Sequence, residues 1–308
     1  MQVPAHVEYE RASSVSDALA MLARYGPEAR ILAGGHSLIP MMKLRLAQPE
    51  VLIDVNGIKD LNYITSASGQ LRIGALARHA GLLRSALAGE RFAILHDAER
   101  VIADPVVREW GTVGGSLCQA DPSEDLSAAF TALKGTMIIT TEDGPREVSA
   151  RAFHTGPYET VVGPAEMLTE IRLPLRPAGA REPGIFGSSY LKVARRAGDW
   201  PVGAAGAALW LDITGRGGSP PVVRDAGIGL TALGARHFIA AEAEEFLTGQ
   251  AATEENFRRA GAIAAAHCRP VADQRGPEDY KRHLAGELTT RALLRALERA
   301  VPPGKAAS

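Results

Sequence analysis

Apolar positions along the chain fall by turns into helical and strand spacings. Val15, Ala18, Leu19 and Leu22 recur at i, i+3, i+4 and i+7, one face of a helix that Ser14 or Ser16 is placed to cap and Gly26 to stop. The short apolar run Ile31-Leu32-Ala33 meets Gly34-Gly35, and after Pro40 the residues Met41, Met42, Leu44 and Leu46 lead into an alternating strand over 51–55. Asn56-Gly57 marks a turn. Next, Leu71-Arg72-Ile73 reads as a strand and Leu82, Leu83, Ala86 and Leu87 as a helix face, followed by a polar, glycine-punctuated stretch over 103–125. Helical spacing returns at Leu126, Ala129, Phe130 and Leu133 and stops at Gly135. A strand over 137–141 turns at Glu142-Asp143-Gly144, and another over 167–173 ends at Pro174.

Between 174 and 189 the punctuation is dense: Pro174, Pro177, Gly179, Pro183, Gly184 and Gly187. This is the best domain boundary in the chain. Beyond it, 202–212 and 225–233 read as buried strands separated by a loop over 215–221. Three helical patterns follow, the last from about Glu278 to Ala300. Strands followed by helices make the C-terminal third an α+β arrangement.

Composition narrows the function classes. A net charge of −1 and 5% aromatic residues offer neither a basic footprint nor a stacking platform for nucleic acid. No apolar run reaches the roughly 20 residues of a membrane-spanning helix. The N-terminus lacks the basic start and apolar stretch of a secretory signal, so a cytoplasmic location is expected. The only cysteines, Cys118 and Cys268, cannot supply four thiolates to an iron–sulfur cluster or a structural zinc.

Two segments stand out: Ala33-Gly34-Gly35-His36-Ser37-Leu38 and Gly111-Thr112-Val113-Gly114-Gly115-Ser116. Paired glycines allow positive φ and close approach of backbone to a ligand. Successive N–H groups can then converge on an anion, with Ser37, Thr112 and Ser116 adding hydroxyls, and two such segments could clamp a pyrophosphate from both sides. Neither is the G-x-G-x-x-G of a dinucleotide fold nor a P-loop. Plain tight turns explain either segment equally well, and spacing alone does not choose one phosphate ligand over another.

The run from Ile31 to Leu46, ILAGGHSLIPMMKLRL, resembles the first FAD motif of the flavoprotein (medium) subunits of aerobic carbon monoxide dehydrogenase and related molybdenum hydroxylases, the xanthine dehydrogenase family among them. Gly111 to Pro122 resembles the second motif, Tyr190 to Asp199 the start of the C-terminal domain, and Asp279 to Ala285 the final helix. The likeness is collinear from about residue 4 to 300. It implies an α+β chain: a two-part FAD-binding domain of the vanillyl alcohol oxidase (PCMH) type over 1–57 and 58–176, then a smaller domain of antiparallel sheet plus helices over 177–308.

Carried over by resemblance, the cofactor-binding positions are Ala33, Gly34, Gly35, His36, Ser37, Leu38, Ile102, Thr112, Gly114, Gly115, Ser116, Asp125, Leu168 and Lys192. The two glycine segments would hold the pyrophosphate and ribityl chain. Ile102 would sit against the cofactor, Leu168 near the adenine or flavin, and Asp125 would accept from a sugar hydroxyl or adenine group. Lys192 would reach the flavin's polar edge, where positive charge tunes its potential. Other roles compete: core packing for Ile102 and Leu168, a helix cap or first-turn position for Asp125, a solvated strand position for Lys192, a structural turn for His36 and a small buried filler for Cys118. The chain departs from the family pattern at Ser116 (commonly Asn), Gln119 (commonly His), Glu124 (commonly small) and Trp200-Pro201.

The resemblance implies an oxidoreductase component that relays electrons through FAD and does not turn over substrate alone. Its expected partners are a small subunit with two [2Fe-2S] clusters and a large molybdopterin subunit, in a dimer of heterotrimers. A quinone, NAD, cytochrome or oxygen would be the electron acceptor. Carbon monoxide, an aldehyde, a purine or another N-heterocycle would be chosen by the large subunit. Two rivals stand beside this reading: a self-contained flavin-dependent reductase, and a scaffold or maturation factor without FAD.

Overall fold

A computed structural model describes residues 3–175, 185–212 and 220–301. Pro177, Gly179, Pro183 and Gly184 of the expected linker, and 215–219 of the expected loop, lie outside the described residues.

The first unit is a three-stranded parallel sheet in which Val51–Asp54 lies between Glu8–Arg11 and Ala29–Leu32. Parallel strands need a crossover, and the helix Val15–Tyr25 makes the one that joins the two outer strands. Ser14 caps it, accepting from Asp17 N, and Gly26 at φ 60 ends it. Ala18, Leu19 and Leu22 pack onto Val51, Ile53 and Val55 as their spacing predicts.

The second unit is a five-stranded antiparallel sheet ordered Ile64–Ala67, Gln70–Gly74, Met167–Pro174, Thr136–Thr141, Gly144–Ser149. A layer of short helices fills the long connection from 79 to 132. The expected helix face through Leu82, Leu83, Ala86 and Leu87 is broken at Ser85, which ends His79–Arg84 and caps Ala86–Arg91 by accepting from Ala88 N. The glycine-punctuated stretch is itself largely helical: Asp104 caps Pro105–Trp110 and Thr112 caps Val113–Gln119. Short polar residues that bond their own backbone favour caps, so polarity there marked helix starts.

The last unit is a three-stranded antiparallel sheet, Ile185–Ala194, Pro201–Asp212 and Val222–Thr231, with the helices Ala241–Leu247, Glu254–His267 and Glu278–Ala300. Its central strand is buried on both faces. Ala204, Ala208 and Trp210 join the core of the second unit, while Ala205, Ala207, Leu209 and Leu211 join the core under the C-terminal helices. Glycines set how close the layers come. A Cβ on Gly227 or Gly229 would lie 1.8 or 2.0 Å from the carbonyls of Ala132 or Ala128, so the helix Asp125–Ala132 rests directly on the strand Val222–Thr231. The same packing places the start of this helix against Tyr190 and Lys192 on Ile185–Ala194, the opposite outer strand of the sheet. The chain therefore has the expected α+β architecture.

Candidate cofactor-binding site

A cavity of about 1170 Å³ receives residues from all three units. Ala33, Gly34, Gly35, His36, Ser37, Leu38, Ile102, Thr112, Gly114, Gly115, Ser116, Asp125, Leu168 and Lys192 all line it.

The first glycine segment leaves the strand Ala29–Leu32 and enters the helix Leu38–Lys43. Asn56 anchors it, its Nδ2 donating to Ala33 O at 2.6 Å and to Asp54 Oδ1 at 2.7 Å. Gly35 has φ +77, a conformation L side chains rarely adopt. Gly34 is needed for a different reason: a Cβ there would lie 2.5 Å from Trp110 O and 2.7 Å from Gly111 Cα. The N–H groups of Gly34, Gly35, His36 and Ser37 donate to no group among the described residues. A run of free donors beside a cavity is the arrangement that receives an anion.

The second segment differs. Val113 N donates to Ala77 O (2.9 Å), Gly114 N to Ala75 O (2.8 Å), Gly115 N to Thr112 Oγ1 (3.1 Å) and Ser116 N to Thr112 O (3.0 Å). Its donors from Val113 to Ser116 are spent within the chain, which corrects the expectation of two equivalent N–H clamps. Nor do Gly114 and Gly115 take positive φ. They are glycine because a Cβ would lie 2.7 Å from Ala75 O or 2.6 Å from Thr112 Oγ1. What this segment offers the cavity is closeness and hydroxyls.

Sequence reasoning missed the brace between the segments. Arg78 Nη2 donates to Asn56 Oδ1 at 2.7 Å, and its Nη1 donates to Trp110 O beside Gly111. One guanidinium thus ties the anchor of the first segment to the start of the second. An arginine directly after the apolar run 73–77 was the one local sign of it.

At another part of the wall, Lys192 Nζ donates to Asp125 Oδ2 at 2.8 Å and to Val101 O at 3.1 Å, while Tyr190 Oη donates to Asp125 Oδ1 at 2.7 Å. Lys192 is not a solvated strand residue; its side chain is 4% exposed. Asp125 is not the cap but does stand in the first turn of its helix. Glu124 caps this helix, accepting from Leu126 N at 2.8 Å and from Ser127 N. Burial, the largest influence, pushes both Glu124 and Asp125 above the usual carboxylate range, against the pull of Ser127 on the first and Lys192 on the second. Cys118, expected as a buried filler, is instead exposed to the cavity it lines. With protein packed around its other sides, burial pushes the thiol up to about 12, far from a reactive thiolate. Gln119 Nε2 contacts Met41 Sδ at 3.2 Å, and Trp200 stands at the cavity, 46% exposed. His79 and Glu99, also unforeseen, form a buried pair at the cavity, with Nδ1 3.0 Å from a Glu99 oxygen.

Residues 5–176 match the family described as FAD binding domain in molybdopterin dehydrogenase, and residues 188–296 match CO dehydrogenase flavoprotein C-terminal domain. The carbon monoxide dehydrogenase medium chain of Afipia carboxidovorans is 38% identical, covering 97% of this chain and 99% of that one. The glyceraldehyde dehydrogenase medium chain of Sulfolobus acidocaldarius is 32% identical over 94% and 98%. Among solved structures, a chain of the carbon monoxide dehydrogenase of Hydrogenophaga pseudoflava superposes with a TM-score of 0.88 at 37% identity, covering 97% of this chain and 100% of that one.

Proposed function

This chain belongs to the family of FAD-binding medium subunits of molybdenum hydroxylases, of the carbon monoxide dehydrogenase type, and from that membership we propose that it is the electron relay of such a complex. It is an oxidoreductase component, and its cofactor is FAD. When bound, FAD accepts electrons singly and passes them on in pairs, which suits a junction between one-electron clusters and a two-electron acceptor.

The observation that carries the reading is the run of free N–H groups from Gly34 to Ser37, facing the cavity that collects every position named above. In this reading the first segment holds the diphosphate, and Thr112 and Ser116 complete the cradle with hydroxyls. Ile102 and Leu168 supply apolar walls. Asp125 keeps lone pairs on both oxygens for a sugar hydroxyl, since each accepts a single bond from the chain. Lys192 keeps a third N–H for the polar edge of the cofactor. Its charge would favour negative charge there, tempered by Asp125.

The proposed partners are an iron–sulfur subunit that delivers electrons and a molybdopterin subunit that oxidises substrate, in a dimer of heterotrimers. The division of this chain at 57/58 and 176/177 and a cytoplasmic location belong to the same proposal. No helix among the described residues is long and apolar enough to cross a membrane. Exposed apolar side chains at the cavity, Leu46, Tyr158 and Trp200, favour a covered rather than a free surface there.

The test is to purify the full chain alone and titrate it with FAD. The expected outcome is one FAD per chain with a flavin absorption spectrum, no oxidation of carbon monoxide or aldehydes, and no rapid consumption of NADPH. A chain that stays colourless overturns FAD binding by the isolated subunit, and rapid NADPH consumption overturns the relay in favour of a self-contained reductase.

A further inference from the structure

His79, at the start of the helix His79–Arg84, is 4% exposed, and Glu99, in the helix Ala93–Val101, is 0% exposed. Both Glu99 oxygens lie within hydrogen-bond reach of His79 Nδ1, at 3.1 and 3.0 Å, and no other group bonds to them among the described residues. A carboxylate buried from bulk solvent with one partner is strongly disfavoured unless the pair holds a proton. If Glu99 is ionised, the imidazole is doubly protonated. If Glu99 holds the proton, it donates to Nδ1 and the neutral ring carries its hydrogen on Nε2. Either way Nε2 is an N–H donor.

That donor has no partner among the described residues and keeps access to the cavity His79 lines. Its place is specific. A Cβ on Gly111 would lie 2.8 Å from His79 Cδ2 and 3.3 Å from Nε2, and a Cβ on Gly34 would lie 2.7 Å from Gly111 Cα. The free edge of the ring therefore sits at the joint of the two glycine segments. Other nearby charges are already engaged. Arg108 donates to Ile102 O and Ala103 O, Lys192 is paired with Asp125, and Glu124 caps its helix.

We propose that His79, oriented by Glu99, is a further FAD-binding residue whose Nε2–H donates to the diphosphate at the joint of the two glycine segments. The proposal rests on the reading that these segments cradle the diphosphate. Burial opposes charge on His79, but attraction to Glu99, Glu124 and Asp125 outweighs it and raises His79 above the ordinary histidine value. The shift favours the pair that holds a proton, in which Nε2 donates; once that proton is lost, Nδ1–H faces the carboxylate and Nε2 ceases to donate.

The experiment uses the full chain freed of FAD, with FAD, ADP and riboflavin as separate probes. Removing the donor should weaken FAD and ADP by about tenfold together, the loss of one charge-assisted hydrogen bond, and leave riboflavin unchanged. His79→Ala does this but strands Glu99. The double variant His79→Phe/Glu99→Leu removes donor and acid together and keeps the test readable if the single variant does not fold. Raising the pH until the pair gives up its proton should lower the ADP affinity of the unmodified chain by a similar factor. Glu99→Gln, whose amide donates to Nδ1 and leaves the hydrogen on Nε2, should not. Unchanged ADP affinity in the double variant overturns the proposal, as does loss of FAD without loss of ADP, or ADP that fails to compete with FAD in the unmodified chain. Gly34→Ala separates the two ideas. If it weakens ADP while the His79 variants do not, only the role of His79 fails; if it leaves ADP unchanged, the diphosphate cradle itself fails.

Discussion

The two glycine segments share a sequence signature and do different work. In 33–38 the backbone N–H groups from Gly34 to Ser37 are unspent and Gly35 takes a left-handed conformation. In 111–116 the N–H groups from Val113 to Ser116 are bonded within the chain, and Gly114 and Gly115 are helical positions with no room for a side chain. One segment presents donors; the other is a packing joint on which the first rests. A paired glycine in sequence states that something comes close, either a ligand or another stretch of backbone. Only the destination of the neighbouring N–H groups tells which.

The largest expected effect probes the packing joint through pH. His154 is buried, and its Nε2 lies 3.1 Å from Leu117 O, in the helix that carries the second segment, and 3.2 Å from Ser127 Oγ. The carbonyl assigns the hydrogen to Nε2, and Nδ1 has no partner. Burial lowers His154 to about 4. Its folded value lies below its unfolded value, so the unfolded chain binds the proton first as pH falls. Its contribution is complete above the unfolded value near 6.5 and disappears as pH falls through 4, about 3 kcal/mol in all. His154→Gln, which keeps a donor for Leu117 O, should flatten the slope of denaturant-measured stability between pH 6.5 and 4. An unchanged slope would remove His154 from the account.

A smaller effect separates the segments directly. Gly114→Ala sets a Cβ 2.7 Å from Ala75 O, and Gly34→Ala sets one 2.5 Å from Trp110 O. Each should cost about 1–3 kcal/mol as overpacking against backbone. The cost should appear differently: in Gly114→Ala as a lower melting temperature with FAD affinity of the folded chain nearly retained, in Gly34→Ala as weaker FAD binding by roughly tenfold or more. Equal losses of affinity in both would erase the distinction. The smallest expected effect is on the hydroxyls. Ser37→Ala and Ser116→Ala should each reduce FAD affinity by the worth of one hydrogen bond, about 0.5–1.5 kcal/mol, with little change in melting temperature. A drop in melting temperature for Ser116→Ala would instead make its hydroxyl part of the joint.

Much of the fold was legible because its determinants are local. The helix Val15–Tyr25 with its Ser14 cap, the hairpin through Glu142-Asp143-Gly144 and the helix Glu278–Ala300 follow from periodicity and turn chemistry within a few residues. The break at Ser85 was missed because apolar spacing continues across it, and the helices of 105–119 because capping residues look like loop. In the site, the motif positions were legible, while the partners that fix them were not. Asn56 and Arg78 are 22 residues apart, His79 and Glu99 20, and Asp125 and Lys192 67.

By itself, then, the sequence determined where the chain bends, which stretches pair as strands or coil as helices, and which positions carry the family's motifs. These depend on steric preferences and spacings read within one element. The tertiary structure alone decided which donors remain free, which glycine meets backbone, which helix end Glu124 rather than Asp125 caps, and that Lys192 is bound to Asp125. Those outcomes depend on what lies within about 3 Å after distant segments have packed, and hydrogen bonding is too short in range for sequence spacing to report it.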